Sequence, residues 1–209
     1  MKGIFITFEG CEGSGKSTIL DMVYQELLNR GIKCIKTREP GGSQISEQIR
    51  NVILNINNTK MESRTEALLY AASRRQHLME IVVPKLEEGY VVLCDRYIDS
   101  SLAYQGYARG IGIKEVLDIN SFAISGLFPD LTLFFEVRPS VGLARIKSNN
   151  REINRLDKET IDFHTNVYEG YKIVGEMFKD RFVSIDGERE INDVYASTLD
   201  VVLNYLNSR

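Results

Sequence analysis

Short runs of consecutive apolar residues alternate with longer stretches in which apolar residues recur every three or four positions, from one end of the chain to the other. Gly3 to Glu9 (GIFITFE) reads as a strand. Lys16 to Arg30, with Ile19, Leu20, Val23 and Leu27 at helical spacing, reads as a helix stopped by Gly31. Ile32 to Thr37 predicts a second strand and Glu47 to Leu54 a short helix. Thr65 to Glu88 predicts a long helical stretch, kinked or broken at Pro84 and ended by Gly89. Tyr90 to Cys94 (YVVLC) is apolar throughout, as expected of a strand covered on both faces. The polar and aromatic stretch Asp95 to Gly112 reads as a loop. Beyond it the pattern predicts a helix around Lys114 to Ser125, a strand at Leu131 to Val137 and a helix near Ser140 to Lys147. A charged stretch, Ser148 to Lys158, precedes a helix through Thr160 to Phe178, a strand at Phe182 to Ile185 and a last helix at Ile191 to Leu206. Five strands alternating with helices imply an α/β fold, a parallel five-stranded sheet with helices on both faces. With no repeat, low-complexity tract or Pro/Ser-rich linker, residues 1–209 read as a single domain.

Composition narrows the classes of function. The 209 residues are 43% hydrophobic and 26% charged, ordinary for a globular protein with a sizeable core. A net charge of −3 argues against a broad nucleic-acid surface, so any anion site must be a local cluster of Lys and Arg. Cys11, Cys34 and Cys94 form no pairing pattern and read as reduced, buried thiols. No apolar run is long enough to span a bilayer, and the first strand leads straight into a glycine-rich loop, so a cytoplasmic location and no membrane partner are expected.

That loop carries the strongest chemical signal. Gly10-Cys11-Glu12-Gly13-Ser14-Gly15-Lys16-Ser17 fits G-x-x-x-x-G-K-[ST] between a strand and a helix, which makes the fold a P-loop three-layer sandwich. Glycines let successive N–H groups turn inward toward phosphate oxygens, and the helix that follows adds the positive end of its dipole. Lys16 can reach the outer phosphates and Ser17 can ligate Mg²⁺. Asp95, at the carboxyl end of the YVVLC strand, is the expected acidic partner of the metal. A guanine-reading Asn-Lys-x-Asp does not occur, which argues against a GTP switch, and the length argues against a large mechanical ATPase.

Arginines favour transfer to a second anion. Arg38 follows the second strand, Arg96 the third, and Arg50 lies one short helix further on. Strand-end guanidinium groups would point Arg38 and Arg96 into one crevice. Tyr70 and Arg74, four apart on a helix, offer a ring and a hydrogen-bonding fork suited to a nucleobase, and the Asp99 to Tyr107 stretch adds Gln105. Residue chemistry alone thus reaches a P-loop phosphotransferase with a nucleotide-like acceptor. A P-loop kinase for another nucleoside or monophosphate, and a regulatory ATP-binding module, are the alternatives.

The stretches TREPGG (Thr37 to Gly42), AASRR (Ala71 to Arg75) and DRYIDSSLAYQGYARG (Asp95 to Gly110) resemble bacterial thymidylate kinases, and the likeness extends over nearly the whole chain. The resemblance implies transfer of the γ-phosphoryl group of ATP to dTMP, giving dTDP and ADP for dTTP synthesis, with Mg²⁺ and in a homodimer. It implies that Gly10, Cys11, Glu12, Gly13, Ser14, Gly15, Lys16, Ser17 and Thr18, with Arg145, surround ATP. Arg38 and Arg96 would grip the acceptor's 5′-phosphate, supported by Arg50. Tyr70 would stack on thymine, Arg74 would bond its O4 edge, and Ser101 and Gln105 would help read the pyrimidine. Tyr104 would crowd the 2′ position, and Glu12 would contact the 3′-hydroxyl. The glycine loop lacks the arginine that some relatives carry there, so a mobile lid at about 145–158 would supply it, through Arg155 first and Arg151 second. Lys16, Arg96, Glu12 and a lid arginine then form the expected catalytic set. Glu136, where many relatives carry Asp, is expected to have no catalytic role.

Overall fold

Five parallel strands form one sheet in the order β2-β3-β1-β4-β5 in the computed structural model, which describes residues 3–148 and 155–209. The strands are β1 (Ile4–Gly10), β2 (Cys34–Arg38), β3 (Val91–Asp95), β4 (Leu131–Glu136) and β5 (Phe182–Asp186). The helices are α1 (Lys16–Asn29), α2 (Gln44–Leu54), α3 (Ser63–His77), α4 (Val83–Glu87), α5 (Ile98–Ser101), α6 (Ile113–Ile124), α7 (Pro139–Ser148), α8 (Ile161–Met177) and α9 (Ile191–Asn207). Side chains alternate across a strand, so Ile6 and Phe8 of β1 pack on one face with Leu20 and Val23 of α1 and Val194 of α9. Phe5 faces the other way, toward Leu78, Ile98, Val116 and Val174. Both faces are therefore covered, as the apolar strands require. No helix among the described residues is long and apolar enough to cross a membrane.

The chain leaves β1 for α1 on one face and leaves β3 for α5 and α6 on the other. The carboxyl ends of these neighbouring strands therefore border a crevice, where open α/β sheets bind ligands.

Two expectations need correction. Asp95 to Gly112 is not a loop: α5 continues into a π-helical turn at Leu102–Ala108, and Ile98 to Gly106 are buried. Burial on all sides removes the amphipathic period by which a helix is recognised, and Ser100, Ser101 and Gln105 satisfy their polar groups internally. Nor does Pro84 break the long helix. A π-helical turn at Leu78–Val82, in which the Val83 amide donates to the Leu78 carbonyl, joins α3 to α4, so the helix passes through Pro84 by widening the turn before it instead of ending there. Smaller shifts move the start of α2 from Glu47 to Gln44 and extend β2 through Arg38.

Candidate active site

The glycine loop turns tightly between β1 and α1. Gly13 has φ +73°, and a Cβ there would fall on the Gly142 carbonyl of α7, so only glycine lets the two backbones approach this closely. Gly15, at φ 83°, caps α1 and directs the first N–H groups of the helix into the turn. Lys16 is 7% exposed, and its ammonium lies 4.0 Å from Asp95 Oδ1. Burial lowers its pKa, Arg96 adds to that, and Asp95 opposes it. Ser17 Oγ donates to Asp95 Oδ2. A hydroxyl and a carboxylate make a hard oxygen pair suited to Mg²⁺, which commonly takes its other ligands from phosphate and water. Consistent with so sparse a protein ligand set, no group of three His, Cys, Asp or Glu among the described residues is arranged to hold a metal. Ser14 Oγ, buried within the loop against Gly10, has no hydrogen-bond partner.

Two adjoining cavities flank the loop. One, of about 500 Å³, is lined by residues from Glu12 to Thr18 with Arg145, Ile146 and Ser148. The other, of about 330 Å³, shares Ser14, Gly15, Thr18 and Arg145 and continues along Gly187 to Ile191. Arg145 donates to the Gly187 carbonyl at 3.0 Å, so it stands between them. Together they offer room for a nucleoside beside the phosphate cradle.

On the opposite side of Lys16, Arg96 follows Asp95 with φ 69°, a left-handed conformation uncommon for a residue bearing a Cβ. Its amide donates to the Phe8 carbonyl at 3.0 Å. Nη2 donates to Glu12 Oε1 at 2.7 Å and to Tyr104 OH at 3.2 Å, and Nη1 to Ser100 Oγ and Tyr171 OH. Glu12, Tyr70, Arg96, Ser100, Tyr104, Gln105 and Leu156 line a further cavity, of only about 20 Å³. Five of the residues expected on the acceptor side thus surround one space, which Leu156, from the 3₁₀ turn at Leu156–Lys158, helps to fill.

The remaining expected residues are distributed around it. Arg38 opposes Asp95 in strand register but leans outward, half exposed, onto Glu47 at 2.7 Å. Arg50 donates to the Pro40 carbonyl at 2.7 Å, and its pKa is lowered by burial and by Arg38. Arg74 is 1% exposed and committed through Nε to Glu39 at 2.7 Å and through Nη1 to Ser101 and Asn120. Gln105 donates to Glu66 at 2.8 Å. Arg155 is not brought to Lys16: its guanidinium joins Glu66 and the Ile53 carbonyl on the acceptor side. Arg151 lies outside the described residues. Cys11, Cys34 and Cys94 are buried and free. His77 bridges Thr37 and Glu39, and burial lowers the pKa of His164.

Sequence reasoning assigned no role to Glu39, Glu66, Asn120 and Tyr171, which hold these arginines and amides, or to Glu9, which accepts from the Tyr97 amide and the Ser100 and Tyr171 hydroxyls. Glu39 lies inside TREPGG and Glu9 directly precedes the glycine loop, which marked their positions in the sequence but not their roles.

The arrangement, a phosphate cradle with a guanidinium and an aromatic-lined space beyond it, matches one family over most of the chain: the model of thymidylate kinase aligns with residues 8–198. The chain belongs to the thymidylate kinase family. The thymidylate kinase of Oceanobacillus iheyensis is 55% identical over 210 aligned positions, which span all of this chain and 93% of that protein. That of Clostridium novyi is 59% identical over 195 positions, 93% of this chain and 95% of the other. The crystal structure of thymidylate kinase from Ehrlichia chaffeensis superposes with a TM-score of 0.78 at 29% identity, covering 97% of this chain and 99% of that one. The fold built on the five-stranded parallel sheet is thus similar to that of a solved thymidylate kinase.

Proposed function

We propose that this protein transfers the γ-phosphoryl group of ATP to dTMP, forming dTDP and ADP. The observation that carries the reading is Arg96, a guanidinium held between the Lys16–Asp95 end of the phosphate cradle and the space lined by Tyr70, Tyr104 and Gln105.

ATP occupies the two adjoining cavities, its phosphates against the loop amides and Lys16, with Arg145 beside the nucleoside. Ser17 and Asp95 would hold Mg²⁺, which would supply charge neutralisation at the transferring group. dTMP lies beyond Arg96, its phosphate toward Lys16. The second pKa of a phosphate monoester is about 6, so the acceptor is already a dianion at neutral pH and needs no general base. The protein's task is to bring two repelling polyanions into line and exclude water. Arg96 holds the acceptor phosphate, and Arg38, once it turns inward from Glu47, joins it with Arg50 behind. Glu12, released from part of its pairing with Arg96, accepts from the 3′-hydroxyl. Tyr70 stacks on the base, Arg74 and Ser101 with Gln105 read its edge, and Tyr104 closes the 2′ side. The 145–158 segment acts as the lid, and Arg155 leaves Glu66 as it closes. Two copies associate, and a reducing cytoplasm suits the three free thiols.

The deciding experiment measures ADP formation with dTMP, dCMP, dUMP, AMP, thymidine or no acceptor. Turnover that requires a monophosphate and is fastest with dTMP is expected. ATP turnover indifferent to the acceptor would refute the reading. Lys16→Met is expected to lower kcat by roughly 10²–10³, the loss typical of removing one group that stabilises transition-state charge.

A further inference from the structure

Glu9, the next-to-last residue of β1, is fully buried and lines none of the cavities around the glycine loop. It is nevertheless wired to the acceptor-side guanidinium. Its Oε1 accepts the Tyr97 amide at 2.7 Å. Its Oε2 accepts from Ser100 Oγ at 2.6 Å and from Tyr171 OH at 2.8 Å. Those two hydroxyls in turn accept from Arg96 Nη1, at 3.1 and 3.0 Å. Tyr97 directly follows Arg96, whose left-handed φ of 69° persists only if its surroundings hold it. One carboxylate thus secures the backbone just after the kink and the two groups that aim the side chain.

We propose that Glu9 is a positioning residue for the acceptor phosphate: through the Tyr97 amide and the Ser100 and Tyr171 hydroxyls, it holds Arg96 in the orientation that meets that phosphate. This role rests on the dTMP kinase reading and extends it. A second observation bears on it. Burial first, and Asp99 of α5 next, raise the Glu9 carboxyl to about 7, while Arg96, Ser100 and Tyr171 pull it down. Lys16 of α1 and Cys94 of β3 are the other titratable groups that feel its charge. A carboxyl kept where burial opposes its ionisation is a liability to the fold, which a glutamine of the same shape would avoid. Alignment of Arg96 explains why the acid is there.

The test compares dTMP with thymidine, which lacks the phosphate, by calorimetric titration at pH 8 without ATP. In Glu9→Gln, dTMP affinity is expected to fall about 10- to 100-fold, the scale of one or two charge-assisted hydrogen bonds. Thymidine affinity should stay within about twofold, because the groups that read the base are untouched. In turnover, KM for dTMP should rise with KM for ATP unchanged. Tyr171→Phe keeps the carboxylate and removes one relay, so it should show the same split at roughly 5-fold. Unchanged dTMP binding in Glu9→Gln overturns the proposal, as does a parallel loss of dTMP and thymidine, which marks a merely structural role. If Glu9→Gln fails to fold, Tyr171→Phe decides by the same two outcomes. A wild-type protein that bound dTMP no better than thymidine would remove the underlying reading and the proposal with it.

Discussion

Arg74 and Glu39 are the most consequential buried pair at the scale of single residues. Their side chains are 1% and 2% exposed and meet at 2.7 Å, with His77 on the second oxygen of Glu39 and Asn120 and Ser101 on the guanidinium. Removing one partner of such a pair strands a charge in the interior. Arg74→Ala is therefore expected to cost about 3–5 kcal/mol of stability, measurable by urea denaturation, and to shrink the preference for dTMP over dCMP. Retention of full stability would mean that Glu39 finds another counter-charge; retention of full preference would exclude the base-edge role. Glu9 sets a different expectation. Because folding raises its carboxyl from 4.5 to about 7, the native state holds more protons than the unfolded state between those values. Stability should then fall as pH rises across that window, by a few kcal/mol at most. Melting temperatures from pH 5 to 8 should show this decline in the wild type and a shallower one in Glu9→Gln. Parallel curves would mean that Glu9 titrates at its ordinary value.

The 3₁₀ turn at Leu156–Lys158 borders the acceptor space at the scale of elements. The Arg155 amide donates to the Leu54 carbonyl at 3.3 Å, its side chain reaches Glu66, and Leu156 packs with Tyr104, Phe163 and Tyr171. A cavity of about 20 Å³ does not hold a nucleoside, so on the proposed reading the turn is expected to lift as dTMP enters. Leu156→Ala is expected to raise the association rate of dTMP several-fold, followed by stopped-flow tyrosine fluorescence, which the absence of tryptophan leaves clear. An unchanged rate would mean that entry is limited by another element. The segment Ile98–Ala108 shows why element type was only partly legible. Strands and amphipathic helices follow from period, and those were read to within a few residues. Buried on every side from Ile98 to Gly106, this helix has no such period, and its serines and glutamine imitate a loop.

Among the described residues, the large apolar side chains that stand furthest into water at the scale of the whole molecule are Phe122 on α6, at 90% exposure, and Leu68 on α3, at 55%. α3 and α6 pack against each other, Arg75 reaching the Ala123 carbonyl at 3.2 Å, so both belong to one side of the sheet. If two copies associate there, Phe122→Glu should shift the sedimentation profile toward monomer, since a buried unpaired charge opposes association. An unshifted profile would exclude this face from self-association. The phosphate cradle, the parallel sheet and the arginines at its carboxyl edge were fixed by local order along the chain, because a glycine loop, a strand period and a strand end each involve neighbouring residues. The partners of those arginines were not. Glu12 lies 84 residues from Arg96, Glu39 lies 35 from Arg74, and Glu66 lies 89 from Arg155. A charge is stabilised by whatever the fold brings within about 3 Å, and electrostatic energy in a buried site depends on that distance and not on separation along the chain. Tertiary structure alone therefore decided which guanidinium faces a ligand, which is spent on an internal carboxylate, and how far the acceptor space is closed.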